Sequence, residues 1–173
     1  TREVMDLVLN FNANDSVRIV GYFNGNTVES IAFAADPAWD YATVMSKLTY
    51  NGTVGADYLT GVTGYANRIN GLGGNDTING QEKADTLSGG AGNDTLSGGY
   101  GNDTYLFNIG DGTDVISDYD PNINTDILQF GAGISAAAVQ MNRVGDNLEL
   151  NINVSDKVTL QSYFANPVYR VES

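Results

Sequence analysis

Apolar and polar residues alternate in short runs at both ends of the chain, and the middle third follows a different rule. Leu7, Leu9 and Phe11 alternate with polar neighbours, which is the period-two pattern of a half-buried strand. Asn14-Asp15 supplies a turn, and Val17 and Ile19 predict the return strand. Residues 28–33 predict a third strand, closed by the Asp36-Pro37 turn. Asp40 then stands as the N-cap of a helix with Ala42, Val44, Met45 and Leu48 as its periodic apolar positions. Near the other end Leu148, Leu150 and Ile152 alternate again. Between the two, one apolar or aromatic position recurs every nine or ten residues: Leu59, Ile69, Ile78, Leu87, Leu96 and Tyr105. Self-similarity at a fixed period predicts stacked coils around a narrow interior.

The polar positions of that middle third are as regular. Gly52, Gly61, Gly71, Gly80, Gly89 and Gly98 each open a segment whose sixth or seventh residue is Asp or Asn. Gly89-Gly90-Ala91-Gly92-Asn93-Asp94-Thr95-Leu96-Ser97 is the cleanest copy, and Gly98-Gly99-Tyr100-Gly101-Asn102-Asp103-Thr104-Tyr105-Leu106 follows it without a gap. Each copy reads as a six-residue turn followed by a three-residue strand. Glycine at the first, second and fourth positions permits positive φ and close backbone approach. Turn carbonyls can then face a common centre, to which the sixth-position Asp adds a carboxylate oxygen. Oxygen-only ligation suits a hard cation, and six to eight oxygens suit calcium rather than magnesium.

Charge strengthens that reading. The chain has 173 residues and a net charge of −13, from 21 acidic and 8 basic residues. This balance favours cations as partners and disfavours nucleic acid and anionic membrane surfaces. From Gly52 to Asp120 the acidic residues are Asp57, Asp76, Glu82, Asp85, Asp94, Asp103, Asp111, Asp114, Asp118 and Asp120, opposed only by Arg68 and Lys83. So many carboxylates in a short span need a counter-ion among them. The chain lacks cysteine and histidine, which excludes disulfides, thiolate metal sites and His-based catalysis. It also lacks a G-x-S-x-G elbow, so the segment is read as non-enzymatic, whatever a parent protein carries elsewhere. No apolar run approaches a membrane span, and no signal peptide is visible.

The repeat G-G-x-G-x-D-x-U-x resembles that of the RTX (repeats-in-toxin) calcium-binding proteins. The resemblance implies a mainly β fold: a right-handed parallel β-roll flanked by small antiparallel β regions, with a short helix near residues 40–48. It implies that successive turns fall on opposite edges. One edge would stack the turns of Asp57, Asp76 and Asp94, and the other those of Asn67, Asp85 and Asp103. The implied calcium ligands come from Gly52, Gly55 and Asp57; from Gly71, Gly73, Gly74 and Asp76; and from Gly80 and Asp85. The last two copies add Gly89, Ala91, Gly92 and Asp94, then Gly98, Tyr100, Gly101 and Asp103. About three to five Ca2+ ions are expected, with the site between Asp76 and Asp94 best formed and that between Asp85 and Asp103 next. Lys83 at a fourth position should disturb its turn, and Asn67 should weaken its site as a neutral ligand. In Gly110-Asp111-Gly112-Thr113-Asp114 a further incomplete turn would bring Asp111 and Asp114 to Asp94. Asp118-x-Asp120-x-Asn122-x-Asn124-x-Asp126 superficially follows an EF-hand loop, but Ile123 and Gln129 replace its glycine and glutamate, so it is not read as one.

Three regions are expected: residues 1–51, a flanking β region with a helix that forms the tail of a preceding module; 52–106, the calcium-binding roll; and 107–173, a capping β region. The ends of the chain echo one another at a constant spacing of 141 residues, pairing Leu7 with Leu148, Leu9 with Leu150, Val17 with Val158 and Ile19 with Leu160. This points to a tandem array in which roll blocks alternate with strand-rich spacers. The resemblance further implies a block of a larger secreted bacterial protein of toxin or cytolysin type. Such a block is disordered without calcium and folds outside the cell after passing the type I secretion machinery, with adjacent RTX blocks as its neighbours. The alternative is a calcium-stiffened structural segment of an RTX adhesin.

Overall fold

A computed structural model of the protein describes residues 7–10, 16–19, 30–32, 37–122, 124–165 and 171. The chain divides into two compact units, residues 1–44 and 45–173.

In the first unit, β1 (Leu7–Asn10) and β2 (Ser16–Ile19) pair antiparallel, with Leu7 opposite Ile19 and Leu9 opposite Val17. The third strand is realised as the two-residue β3 (Ser30–Ile31), which pairs with β4 (Trp39–Asp40). Phe11, the Asn14-Asp15 turn, Val28 and Asp36 lie outside the described residues. Helix α1 (Tyr41–Lys47), within which the first unit gives way to the second, starts where the sequence places it. Asp40 Oδ1 accepts the Thr43 amide N–H at 2.8 Å, the side-chain cap that satisfies a first-turn donor. Val44 and Met45 are its buried positions, Ala42 is exposed, and Leu48 lies one residue past its end.

The second unit is a parallel β-roll of about four turns. Its coils place short strands alternately in two sheets. One sheet contains β6 (Tyr58–Thr60), β8 (Thr77–Glu82), β10 (Thr95–Tyr100) and β12 (Thr113–Ile116) in parallel. The other contains β5 (Tyr50–Asn51), β7 (Arg68–Asn70), β9 (Thr86–Ser88), β11 (Thr104–Phe107) and β13 (Ile127–Phe130), also in parallel. Register aligns the apolar positions into two columns. Leu59, Ile78, Leu96, Ile116 and Leu160 face Tyr50, Ile69, Leu87, Tyr105 and Leu128 across the interior. Each coil thus buries about one large apolar side chain, worth roughly 1.5–3 kcal/mol. That is a thin core for nine ordered residues.

The strand β16 (Lys157–Leu160) adds in parallel to β12, and β15 (Asn147–Asn151) and β14 (Gln140–Val144) then continue the sheet antiparallel. The direction of the chain therefore reverses at the end of the roll. In the β15–β16 hairpin Leu148 faces Leu160, Leu150 faces Val158 and Asn151 faces Lys157. Each of these pairs is a β1–β2 pair displaced by a constant 141 residues, so the echo in sequence is also an identity of strand register.

Candidate metal centre

The turns that join the strands stack on the two edges, and each edge carries a ladder of aspartates. On the first edge Asp76 Oδ1 accepts the Asp57 N–H (2.8 Å), Asp94 Oδ1 the Asp76 N–H (2.7 Å) and Asp114 Oδ1 the Asp94 N–H (3.0 Å). On the second, Asp85 Oδ1 accepts the Asn67 N–H (2.6 Å), Asp103 Oδ1 the Asp85 N–H (2.8 Å) and Asp126 Oδ1 the Asp103 N–H (2.8 Å). One oxygen of each carboxylate therefore ties its coil to the coil two copies earlier.

The second oxygen is free of any such duty. Asp76, Asp85, Asp94 and Asp103 are no more than 2% exposed, and the Oδ2 of each is buried without a hydrogen-bond partner. An orphaned buried acceptor costs about 1–3 kcal/mol, and more when it is charged. Burial accordingly raises the carboxyl pKa of Asp76 and Asp94 and pushes Asp85 up to about 7 and Asp103 to about 6. Neighbouring aspartates add to the rise, Asp57 for Asp76, Asp103 for Asp85, Asp76 for Asp94, and Asp118 with Asp120 for Asp103. Burial likewise raises Asp114 to about 7. A divalent cation bound between them would relieve both the lost solvation and the repulsion.

The space around these oxygens is shaped for one. A Cβ placed on Gly71 would run into Asp76 Oδ2 and the Gly89 carbonyl oxygen, and one on Gly80 into Asp85 Oδ2 and the Gly98 carbonyl oxygen. The orphaned oxygen and the first carbonyl of the turn two copies on thus converge on one small volume. This corrects one detail of the sequence reading. First-position glycines here serve close approach alone, whereas left-handed φ belongs to the second and fourth positions. Gly90 and Gly99 take φ of 88° and 94° at the second position, and Leu72 and Gln81 adopt the same region at 75° and 88°. Lys83 does not break its turn as expected: it takes φ of 75°, and its carbonyl packs against Gly101.

The third-position residues stack as well. Gly73 and Ala91 form a parallel bridge, and the Gly74 N–H donates to Ala91 O at 2.9 Å. Tyr100 aligns with Glu82 and leaves its side chain 47% exposed. Gly92 bridges to Gly112 in the same way, and its N–H donates to Asp111 O at 2.8 Å, so the incomplete turn of Asp111 and Asp114 joins the first edge. The Asp111 carboxylate itself accepts the Asn108 N–H at 2.7 Å.

The first two turns differ. Asp57 Oδ2 accepts both the amide and the hydroxyl of Thr53, at 2.6 and 2.9 Å, and the turn's Gly55 N–H donates to the Thr53 hydroxyl. Asn67 turns its amide nitrogen into the volume where the ion would stand, donating to Tyr65 O (2.8 Å), Gly80 O (3.0 Å) and Asp85 Oδ1 (2.9 Å). Its Oδ1 accepts the Val62 N–H at 2.8 Å, which fixes that orientation.

Sequence reasoning missed part of the last turn. Asp118, Asp120 and Asp126 are all buried and face the end of the second edge, between β12 and β13 and with no flanking helix, so the segment is not an EF-hand. The signal was present: Asp126-Ile127-Leu128 repeats the Asp-x-apolar step of Asp94-Thr95-Leu96. Asp156 was also unassigned, and its carboxylate accepts the N–H groups of Gly110 (3.0 Å) and Gly112 (3.2 Å) beside the first edge.

Short parallel strands, glycine-lined turns and orphaned carboxylate oxygens define a calcium-binding β-roll, a structural rather than a catalytic fold. Residues 62–82 and 79–116 match the model of the RTX calcium-binding nonapeptide repeat in four copies, so this part of the chain consists of RTX repeats. No curated protein matches the chain. Among the described residues no helix is long and apolar enough to cross a membrane.

Proposed function

We propose that this chain is a calcium-driven folding module of a larger secreted bacterial protein of toxin or cytolysin type. The observation that carries the reading is the set of four buried, unpartnered carboxylate oxygens at Asp76, Asp85, Asp94 and Asp103. At Asp76 and Asp85 that oxygen converges with the Gly89 and Gly98 carbonyl oxygens, so these turns are built to hold an ion. An interior ion would be held by the Asp Oδ2 of one copy and the first carbonyl of the copy two further on. With those oxygens charged and unfilled, the thin core does not hold the coils together. Ion binding stabilises by mass action, roughly 2.7 kcal/mol per site at about 100 times Kd.

Extracellular calcium modules have Kd on the order of 10⁻⁴–10⁻³ M, which leaves such sites empty at cytosolic calcium. The chain then crosses a type I export channel unfolded and folds outside. The matched register of the β1–β2 and β15–β16 hairpins supports neighbouring RTX blocks in the same parent, each closed by a hairpin of this kind. A calcium-stiffened adhesin segment uses the same ligands, and the domain order of the parent separates the two.

The test is far-UV circular dichroism of the isolated chain. Residues 45–165 should pass from largely unordered to β-rich on addition of millimolar calcium, and a spectrum already β-rich in chelator would refute the folding switch.

A further inference from the structure

The loop that joins β12 to β13 breaks the nine-residue rule and replaces backbone groups with carboxylates. Elsewhere on the roll the fourth-position amides of Gly74 and Gly92 donate to the backbone carbonyls of Ala91 and Asp111. In the last turn the equivalent Gly101 N–H donates instead to Asp120 Oδ2 at 3.0 Å, and the Gly99 N–H to Asp118 Oδ1 at 3.2 Å. One ligand oxygen from each of Asp103, Asp118 and Asp126 lies within 4.8 Å of the others, and all three residues are buried. An independent observation sits beside this cluster. Asp103 is wholly buried, and its unpartnered Oδ2 lies against Gly98, adjacent to the Gly99 amide that Asp118 accepts.

The residue below the cluster is also unlike its neighbours. Tyr105 stands between Leu87 and Leu128 in its core column. Its hydroxyl accepts the Gly98 N–H at 2.6 Å and hydrogen-bonds the Asp118 side chain. A buried phenol that orients a carboxylate is an outer-shell partner of the kind that fixes metal ligands.

Given that the roll is filled by calcium, we propose that its last turn holds a cation site of separate construction, in which Asp103, Asp118 and Asp126 supply three carboxylates and Tyr105 positions Asp118. An interior ion would meet one unpartnered Asp Oδ2 and a turn carbonyl, as at Asp76 with Gly89 or Asp85 with Gly98. Affinity rises with the charge of the ligand set, so this site takes calcium before the interior ones, and accepts a trivalent lanthanide in its place.

The experiment uses the full chain with Ca2+ and Tb3+ as probes. Calcium is counted by native mass spectrometry and titrated by calorimetry, and terbium is followed by emission excited through tyrosine. Asp118→Asn and Asp126→Asn keep an acceptor oxygen for the Gly99 and Asp103 amides, and circular dichroism in saturating calcium checks their fold. Each should bind one ion fewer than the parent and lose the tightest phase, with that site weakened about tenfold or more. Tyrosine-excited terbium emission should fall in Tyr105→Phe, because the Tyr105 hydroxyl hydrogen-bonds the Asp118 side chain at this site. Variants that keep the parent's ion count and affinities would overturn the site, as would terbium emission indifferent to Tyr105→Phe. Loss of all ions at once would refute its separateness. A parent chain that binds no calcium would instead sink the calcium reading itself.

Discussion

In the turn of Gly61 to Asn70, the Asn67 amide nitrogen stands among Tyr65 O, Gly80 O and Asp85 Oδ1. In the turn of Gly71 to Asn79, the corresponding volume is bounded by Asp76 Oδ2 and Gly89 O, and Asp76 Oδ2 has no donor. Both turns hold their coil by the same Asp Oδ1 to N–H rung. One turn supplies its own donor and the other leaves that role to a cation. Asp57, held by Thr53, belongs with the first kind. The start of the roll is therefore satisfied by protein groups, and its dependence on metal begins at Asp76.

Four experiments break or sharpen that contrast. Asp94→Ala has the largest expected effect, because it removes an orphaned oxygen and also the rung that accepts the Asp76 N–H. The calcium midpoint for folding, read by circular dichroism, should rise about tenfold or more, in line with an uncompensated buried donor and a lost ligand. Asn67→Ala should leave the number of bound ions unchanged by calorimetry, and equal losses in the two variants would erase the distinction.

Asn67→Asp exchanges the internal donor for a carboxylate. Native mass spectrometry should find one more ion than in the parent, and the chelated protein should be less ordered. An unchanged count would show that Asn67 does not stand in for a cation.

The pH dependence in chelator is the third. Asp85 and Asp114 are raised to about 7 and Asp103 to about 6, from an ordinary 3.8. The folded state then binds more protons than the unfolded one between about 4 and 7, so stability falls as pH rises through that window. Metal-free protein should thus gain β structure on acidification from neutral pH towards pH 4.5, with the gain vanishing in saturating calcium. Acid-induced loss of structure across the same window would contradict the burial of these carboxylates.

The smallest effect is Lys83→Gly. Lys83 holds a left-handed φ of 75°, which costs a residue with Cβ about 1 kcal/mol. The variant should be more stable by about that amount in calcium, measured by urea unfolding, with its ion count unchanged.

The regular part of this architecture was legible because it is written in spacing. Asp76 and Asp94, or Asp85 and Asp103, lie 18 residues apart and meet as rungs, and one apolar residue per copy fills the core. The Asp40 cap was legible for a local reason, since donor and acceptor lie within one helical turn. Two parts were not legible. Asn67 reads as a weak ligand until its amide orientation is known, which depends on the Gly80 carbonyl 13 residues away and on Asp85. Asp118 and Asp126 escaped because the rung from Asp126 reaches back 23 residues to Asp103, outside the period that made the other ligands visible. The roles of the first-position glycines also changed, from torsion to clearance, because a missing Cβ serves either and only packing decides.

A stack of parallel coils has no intrinsic last member, since each strand offers the next the same unpaired edge. Here β16 joins β12 in parallel and hands the sheet to antiparallel β15 and β14. In this sheet, any coil beyond that point would meet a strand running the wrong way. The hairpin thus acts as a terminator, and the length of the rod becomes a quantity counted out in repeats: each added pair lengthens it by one strand spacing, about 4.8 Å, until the reversal halts the tally.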